Sequence, residues 1–213
     1  YKPYPLLGAI SPWNFPLLLS FIDVIPALLA GSAAFIKPSE ITPRFAEPIA
    51  ETIANLSDLS RVVTIIPGGA ELGRELVRQV DIIAFTGSVP TGKKVAQTAA
   101  KEFIPAFLEL GGKDPVIICD DADIDVAAKG TSWGGFVNSG QVCTSIERVY
   151  VFRNVADRFT ESLVEESKKV KLGDPMDKNT EIGPMASKAQ LKNTIEKVAL
   201  AKQEGARILT GGH

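Results

Sequence analysis

Histidine is almost missing from this sequence: the single one, His213, is the last of 213 residues. One imidazole cannot build the histidine clusters that hold zinc in many enzymes. It also leaves no Cys–His or Ser–His pair for a protease-type nucleophile, unless a partner comes from outside this chain. A general base that this sequence itself supplies therefore has to be a carboxylate.

An excess of charge of one sign is missing as well. Lys and Arg together number 23, Asp and Glu number 25, and the formal net charge is −2. No long run of one sign occurs. This balance argues against nucleic acid as a partner.

The sequence also has no long, uninterrupted apolar run. Residues 15–36 are rich in apolar side chains, but Pro16, Asp23, Pro26 and Gly31 interrupt them. A membrane-spanning helix needs about 20 consecutive, mostly apolar residues, so we predict a buried helix over residues 17–30, then a strand, and no membrane partner. No charged segment precedes this stretch, which argues against a signal peptide.

Only two cysteines are present, and their surroundings differ. Cys119 follows the apolar residues 115–118, so we predict a small, buried core residue. Cys143 lies in a polar segment, 138–145 (NSGQVCTS), where a thiol can meet a substrate. Such different settings favour reduced thiols and a cytoplasmic location over a disulfide. A free thiol is mostly protonated at neutral pH, so a reactive Cys143 needs activating partners.

Short apolar segments alternate with helical patterns along the chain. Strands of about five residues followed by helices of about eight to fifteen predict an open, doubly wound, mainly parallel α/β sheet. We place a boundary near residues 111–114, so that residues 1–112 form one domain and residues 113–213 part of a second α/β domain. In the second domain we expect Trp133 and Phe136 to pack at a helix end, and a last strand at 207–209.

Sharp turns follow the predicted strands at residues 11–16, 37–40, 67–69, 86–92 and 109–112. In doubly wound sheets, ligands bind outside the carboxyl ends of the strands. We therefore expect these turns, and the polar residues in them, to line one edge of the sheet.

The turn after one predicted strand has the spacing G-x-x-x-x-G-K. Gly87, Ser88 and Gly92 at a helix N-terminus can meet an anionic phosphate. The spacing also permits a P-loop nucleotide-binding protein, although Lys94 stands where that motif has Ser or Thr and Pro90 lies inside the loop. A plain strand-to-helix turn fits the same residues.

Two further turns carry polar candidates for a cofactor or a base. Lys37 and Glu40 can hydrogen-bond ribose hydroxyls, and a carboxylate there favours a 2′-hydroxyl over a 2′-phosphate; an exposed turn is the plain alternative. Glu109 lies in an apolar strand end beside two glycines, which suits general-base work. It can equally lie on the solvent face of an edge strand.

Asn14 lies in a rigid turn between Pro12 and Pro16. Its amide can donate to a developing oxyanion together with a backbone N–H. An Asn that only shapes the turn is the simpler explanation.

Five motifs occur in a fixed order: residues 12–16 (PWNFP), 37–40 (KPSE), 85–88 (FTGS), 109–113 (ELGGK) and 140–143 (GQVC). Together they resemble the NAD(P)-dependent aldehyde dehydrogenase superfamily, over essentially the whole chain. The resemblance implies a Rossmann-like NAD(P)-binding domain at residues 1–112 and part of a catalytic domain, carrying the nucleophilic cysteine, at residues 113–213. It also implies a small-molecule aldehyde as the substrate.

The resemblance implies a role for each catalytic candidate. Cys143 attacks the aldehyde to give a thiohemiacetal, whose oxyanion is held by Asn14 and the backbone N–H of Cys143. Hydride transfer to the nicotinamide leaves a thioester. Glu109 then acts as the base for the water that hydrolyses the thioester.

The resemblance also implies the cofactor contacts. NAD is the expected cofactor, with NADP possible. The residues implied to hold it lie around the adenosine ribose (Lys37, Glu40), the pyrophosphate (Gly87, Ser88, Gly92), the nicotinamide (Ile10, Trp13, Leu110) and the adenine (Gly68).

Finally, the resemblance implies that this chain is an internal piece of a longer protein, a homo-oligomer (dimer or tetramer). We expect the piece alone to have little or no activity. A non-catalytic fragment of the same fold remains an alternative to an enzyme.

Overall fold

The computed structural model describes residues 2–212, so His213, the only histidine in the sequence, lies outside it. The chain divides into two compact units, the first ending at Gly111 and the second beginning at Gly112. The naming of these units as cofactor-binding and catalytic domains stays a prediction.

The first unit contains five strands and five α-helices. The strands are β1 (Leu6–Ile10), β2 (Ala33–Lys37), β3 (Val63–Ile65), β4 (Ile82–Gly87) and β5 (Ala106–Leu110). The helices are α1 (Pro16–Phe21), α2 (Val24–Ala30), α3 (Ala46–Ala54), α4 (Ala70–Gln79) and α5 (Val89–Glu102). Short 3-10 turns at Pro43–Phe45 and Leu59–Arg61 precede α3 and β3.

All five strands of the first unit form one parallel sheet in the order β3-β2-β1-β4-β5. This confirms the predicted doubly wound α/β architecture. The strand order reverses between β1 and β4, and such a switch point opens a crevice at the carboxyl ends of the strands.

The sheet buries side chains on both faces. Along β4, Ile82 and Ala84 join one apolar core, which also holds Val24 of α2. Ile83 and Phe85 point into the other core, against α4 and α5. Because successive side chains of a strand alternate between faces, two covered faces require the near-continuous apolar strands seen in the sequence.

The predicted single buried helix over residues 17–30 is wrong. The structure has two short helices, α1 and α2, and their outer face is exposed, with Leu18 at 62% and Leu29 at 85%. Pro26 explains the break, because it has no N–H for the carbonyl of Ile22 and its ring would clash there. Among residues 2–212, no helix is long and apolar enough to cross a bilayer.

The second unit has a two-stranded parallel sheet and three α-helices. The strands are β6 (Asp114–Ile118) and β7 (Ile146–Val151). The helices are α6 (Ile124–Phe136), α7 (Ala156–Lys169) and α8 (Lys188–Gln203), with 3-10 turns at Val137–Gly140 and Arg153–Val155. A small core joins β6, α6 and α7 through Ile118, Ile124, Ala128 and Phe159.

Three predictions for the second unit are wrong. Cys119 is exposed rather than buried, because Ile118 is the last inward residue of β6 and the next side chain faces outward. Trp133 and Phe136 are 72% and 44% exposed, since α6 buries a narrow face of Ile124, Ala128, Thr131 and Ser132. Residues 207–209 form no strand, because no described strand pairs with them.

Candidate functional site

A cavity of about 330 Å³ lies in the first unit where the strand order reverses. Its walls come from the ends of β1, β2 and β4 and from helices α4 and α5. The volume falls in the range of small-molecule sites, and its position follows the general rule for ligands of doubly wound sheets. Six predicted cofactor residues line it: Ile10, Trp13, Lys37, Glu40, Gly87 and Ser88.

A buried lysine forms one corner of this cavity. Lys37, the last residue of β2, is 4% exposed, and its Nζ donates to the carbonyl of Pro38 at 3.1 Å and to Oε2 of Glu40 at 3.3 Å. The pKa of Glu40 is lowered, mainly by a hydrogen bond from its own backbone and further by Lys37. Glu40 therefore remains ionised at neutral pH and can accept hydrogen bonds from hydroxyl groups.

The N-terminus of α5 forms a second corner. Ser88 caps this helix: its Oγ accepts from the backbone N–H of Thr91 at 3.4 Å and donates to Thr91 Oγ1 at 3.0 Å. Because α5 begins at Val89, the residues up to Gly92 form its first turn and not a phosphate-cradling loop. The geometry suits an anion at a helix N-terminus and departs from a P-loop.

Three predicted cofactor residues do not line the cavity. Gly92 and Leu110 pack against each other, since a Cβ on Gly92 would lie 2.6 Å from Cδ2 of Leu110. Gly68 packs against α4, where a Cβ would lie 2.5 Å from Cδ2 of Leu72. The absence of a side chain at Gly68 and Gly92 thus serves close packing in this unit.

The site residues predicted from the sequence do not include the two helix faces that form the cavity walls. One face of α4 contributes Ala70, Gly73, Arg74 and Val77, and one face of α5 contributes Thr91, Lys94, Val95 and Thr98. Both sets repeat at three- and four-residue intervals, the spacing of one side of a helix. This spacing, in helices that directly follow strands of the predicted edge, could have identified these cavity-lining residues from the sequence.

The two catalytic candidates in the first unit, Asn14 and Glu109, have different surroundings. Asn14 is half-buried in the turn between β1 and α1, which is held by a 3.0 Å hydrogen bond from Thr42 Oγ1 to the carbonyl of Trp13. Glu109 is exposed on β5, an edge strand, on the same side of that strand as Phe107. Within this unit, Glu109 therefore lies on the solvent face of an edge strand, the simpler of the two predictions for this residue.

In the second unit, Cys143 is exposed in a tight turn before β7. The backbone N–H of Ser145 donates to the carbonyl of Val142 at 3.1 Å and closes the turn. The buried Ser145 hydroxyl lies 3.2 Å from the carbonyl oxygens of both Gly134 and Gly135. These bonds tie the cysteine turn to the C-terminal part of α6.

The backbone just before the cysteine turn is strained. Asn138, Ser139 and Gly140 all have left-handed φ angles, of 52°, 60° and 71°. Two hydrogen bonds hold this segment. Ser139 Oγ donates to the carbonyl of Gly183 at 2.6 Å, and the neighbouring Gln141 Oε1 accepts from the backbone N–H of Ala186 at 2.9 Å. Left-handed non-glycine residues cost energy and concentrate at functional sites.

Comparison with known proteins decides the family. The sequence model of the "Aldehyde dehydrogenase family" matches residues 1–213. The chain belongs to the aldehyde dehydrogenase family. Peroxisomal aminoaldehyde dehydrogenase 2 from Malus domestica is 41% identical over 99% of this chain and 42% of that protein.

Solved structures of aldehyde dehydrogenases match the fold. Lactaldehyde dehydrogenase from Escherichia coli superposes with a TM-score of 0.96 at 39% identity, covering 100% of this chain and 46% of that one. Betaine aldehyde dehydrogenase from Staphylococcus aureus in complex with NAD+ gives 0.88 at 36% identity, covering 99% and 42%. The chain thus spans less than half the length of these relatives.

Asp23 of the first unit has a raised pKa. Asp23, between α1 and α2, is half-buried, and burial raises its pKa, with a further contribution from the negative charge of Glu109. The folded state therefore holds this proton more tightly than the unfolded state does. The resulting loss of stability develops as pH rises above the unfolded pKa near 3.8 and is complete above the folded pKa.

We expect Asp23→Asn to raise the melting temperature at neutral pH by roughly 2 °C, and by less near pH 4, because it removes a half-buried charge. Differential scanning calorimetry across this pH range checks the result. Glu75→Gln is the control, since the pKa of Glu75 is lowered by hydrogen bonds from Gln79 and Arg78, so its loss destabilises at neutral pH. A gain for Asp23→Asn that does not change with pH would contradict the assignment.

Proposed function

We propose that the protein containing this sequence oxidises an aldehyde to a carboxylic acid and passes hydride to a nicotinamide dinucleotide. The observation that supports this most is the cavity at the strand-order reversal, with Lys37 and Glu40 at one corner and the α5 N-terminus at another, in a chain of this family. A nicotinamide dinucleotide carries ribose hydroxyls and an anionic pyrophosphate, which match these two corners.

The cofactor contacts follow from these corners. Glu40 accepts hydrogen bonds from the adenosine ribose, and Lys37 keeps that carboxylate in place. The first turn of α5, with Ser88, receives the pyrophosphate. Ile10 and Trp13 line the nicotinamide side. When bound, the nicotinamide supplies the hydride acceptor.

The chemistry starts at Cys143. Its sulfur attacks the aldehyde carbon as the thiolate, the thiol proton having passed to a base, and a thiohemiacetal oxyanion forms that Asn14 and the backbone N–H of Cys143 stabilise. Loss of hydride from that carbon oxidises the adduct to a thioester. Glu109 accepts a proton from water, the water attacks the thioester, and the carboxylic acid leaves as the Cys143 thiol is restored.

The alternatives receive less support. A P-loop function finds no support in the comparisons, and residues 89–92 are helical. We expect the 213-residue chain alone to have little or no activity, since its relatives are more than twice as long. NADH production from a panel of aldehydes by the purified chain would contradict that expectation. A cytoplasmic location and a homo-oligomeric parent also stay predictions.

Binding of the cofactor can be tested without turnover. We expect NAD+ to raise the melting temperature of the purified chain and ATP–Mg²⁺ to leave it unchanged, because ligands that bind only the folded state stabilise it. Glu40→Gln should reduce the NAD+ effect, because it removes the charged acceptor for the ribose. The matched control is Glu47→Gln on α3, away from the cavity. Stabilisation by ATP–Mg²⁺ alone would favour the P-loop alternative.

The nucleophile can be tested by alkylation. Both cysteines are exposed, so accessibility alone predicts similar rates. We expect iodoacetamide at neutral pH to label Cys143 at least about tenfold faster than Cys119, because an activated thiol reacts through its thiolate. Peptide mass spectrometry gives both rates in one sample, and Cys119→Ser and Cys143→Ser confirm the assignments. Equal, slow labelling would favour a non-catalytic fragment.

A further inference from the structure

The cysteine turn is anchored on both sides. On the side of β7, the Ser145 hydroxyl lies 3.2 Å from two carbonyl oxygens of α6. On the other side, Ser139 Oγ donates to the carbonyl of Gly183 at 2.6 Å, 44 residues along the chain. Cys143 lies between these two anchors in the sequence. The positions of its sulfur and of its backbone N–H therefore depend on both.

The segment that accepts the hydrogen bond from Ser139 is itself held in place. The backbone N–H groups of Glu181 and Ile182 donate to the carbonyl of Lys171 at 3.0 and 3.1 Å. Ile182 is also buried, with only 8% of its surface exposed. These contacts fix the chain directly before Gly183, so the carbonyl of Gly183 is a fixed acceptor for the Ser139 hydroxyl.

Ser139 is the residue of the strained segment for which such a bond matters most. Its neighbours Asn138 and Gly140 also have left-handed φ angles. Glycine adopts this conformation readily, and asparagine does so more often than most residues. Serine has neither advantage, so its φ of 60° requires an interaction that offsets the strain. The bond to Gly183 is such an interaction, and without it the backbone that leads to Cys143 can relax.

The proposed chemistry depends closely on where Cys143 lies. Its sulfur has to reach the aldehyde carbon, and its backbone N–H has to meet the oxyanion that forms there. A displacement of about 1 Å from the reactive geometry can slow a reaction about a hundredfold. A change of φ at Ser139 from the left-handed to the right-handed region rotates the chain that leads to Cys143, and so moves both groups.

We propose that Ser139 is a positioning residue for the nucleophile: its hydroxyl, bound to the carbonyl of Gly183, holds the left-handed backbone that places the sulfur and the N–H of Cys143 for reaction. This role rests on the proposed function, because it assumes that Cys143 is the nucleophile. Ser139 acts through the backbone and touches neither the aldehyde nor the cofactor. Loss of its hydroxyl therefore slows the chemical steps and leaves cofactor binding unchanged.

Steady-state kinetics of the whole protein that contains this sequence test this role. We expect Ser139→Ala to lower kcat about tenfold and to change KM for NAD+ less than about twofold. Ser139→Gly separates the hydrogen bond from the strain, because glycine adopts the left-handed conformation without a side chain. It should lower kcat by a similar factor. The control is Ser167→Ala, which removes a hydroxyl that donates to the carbonyl of Leu163 at 2.7 Å within α7. It should change kcat less than about twofold.

Each other outcome overturns the proposal. Unchanged kcat in both Ser139 variants rejects it and leaves the proposed function standing. Full activity of Ser139→Gly beside a slow Ser139→Ala assigns the effect to backbone strain instead of the hydrogen bond. An equal loss in Ser167→Ala, or a parallel rise in KM for NAD+, shows general damage to the fold. If the unaltered protein produces no NADH from a panel of aldehydes, the proposed function fails together with this inference. Circular dichroism shows whether each variant is folded, and the glycine variant decides if the alanine variant is not.

Discussion

Strand β1 pairs in parallel with β2 on one side and β4 on the other, and its register determines where the cavity lies. Ile10 stands opposite Lys37 in β2 and opposite Phe85 in β4, so β1 and β2 end at the same level while β4 runs on to Gly87. Ser11 continues this pairing with a 3.0 Å hydrogen bond to the carbonyl of Lys37. Because the strand order reverses between β1 and β4, the connections leave these strands in opposite directions and open a crevice at their carboxyl ends.

The electrostatics of that crevice follow from the same register. The end of β2 places the ammonium group of Lys37 in a buried position, where it needs acceptors; the Pro38 carbonyl and Glu40 provide them. The end of β4 leads directly into α5, whose N-terminal turn, capped by Ser88, brings the positive end of the helix dipole to the same cavity. The proposed dinucleotide has hydroxyls at one end and a diphosphate in its middle, which would meet matching groups at both corners. In the second unit, the exposed thiol of Cys143 lies in a turn that directly follows a strained segment. Hydrogen bonds tie this turn and segment to α6 and to residues 183–186.

The sequence predicted the sheet and the residues at its edge, because strand ends, prolines and glycines mark turns whatever surrounds them. Lys37, Glu40 and Ser88 were found in this way. Arg74 was missed because it lies inside a helix, where no turn marks it and only the three- and four-residue spacing relates it to the cavity. The exposure of Cys119 and Trp133 could not be predicted, since apolar neighbours in sequence do not reveal which faces of β6 and α6 other elements cover. The break between α1 and α2 was predictable in principle from Pro26 and the carbonyl of Ile22.

In the proposed function, a nicotinamide dinucleotide binds at the carboxyl edge of the first sheet. Hydrogen–deuterium exchange of the purified chain, with and without saturating NAD+, tests it most directly. We predict slower exchange at the segments that line the cavity, residues 37–41, 73–77 and 87–95. Unchanged exchange at these segments, or protection confined to residues 112–212, would contradict it.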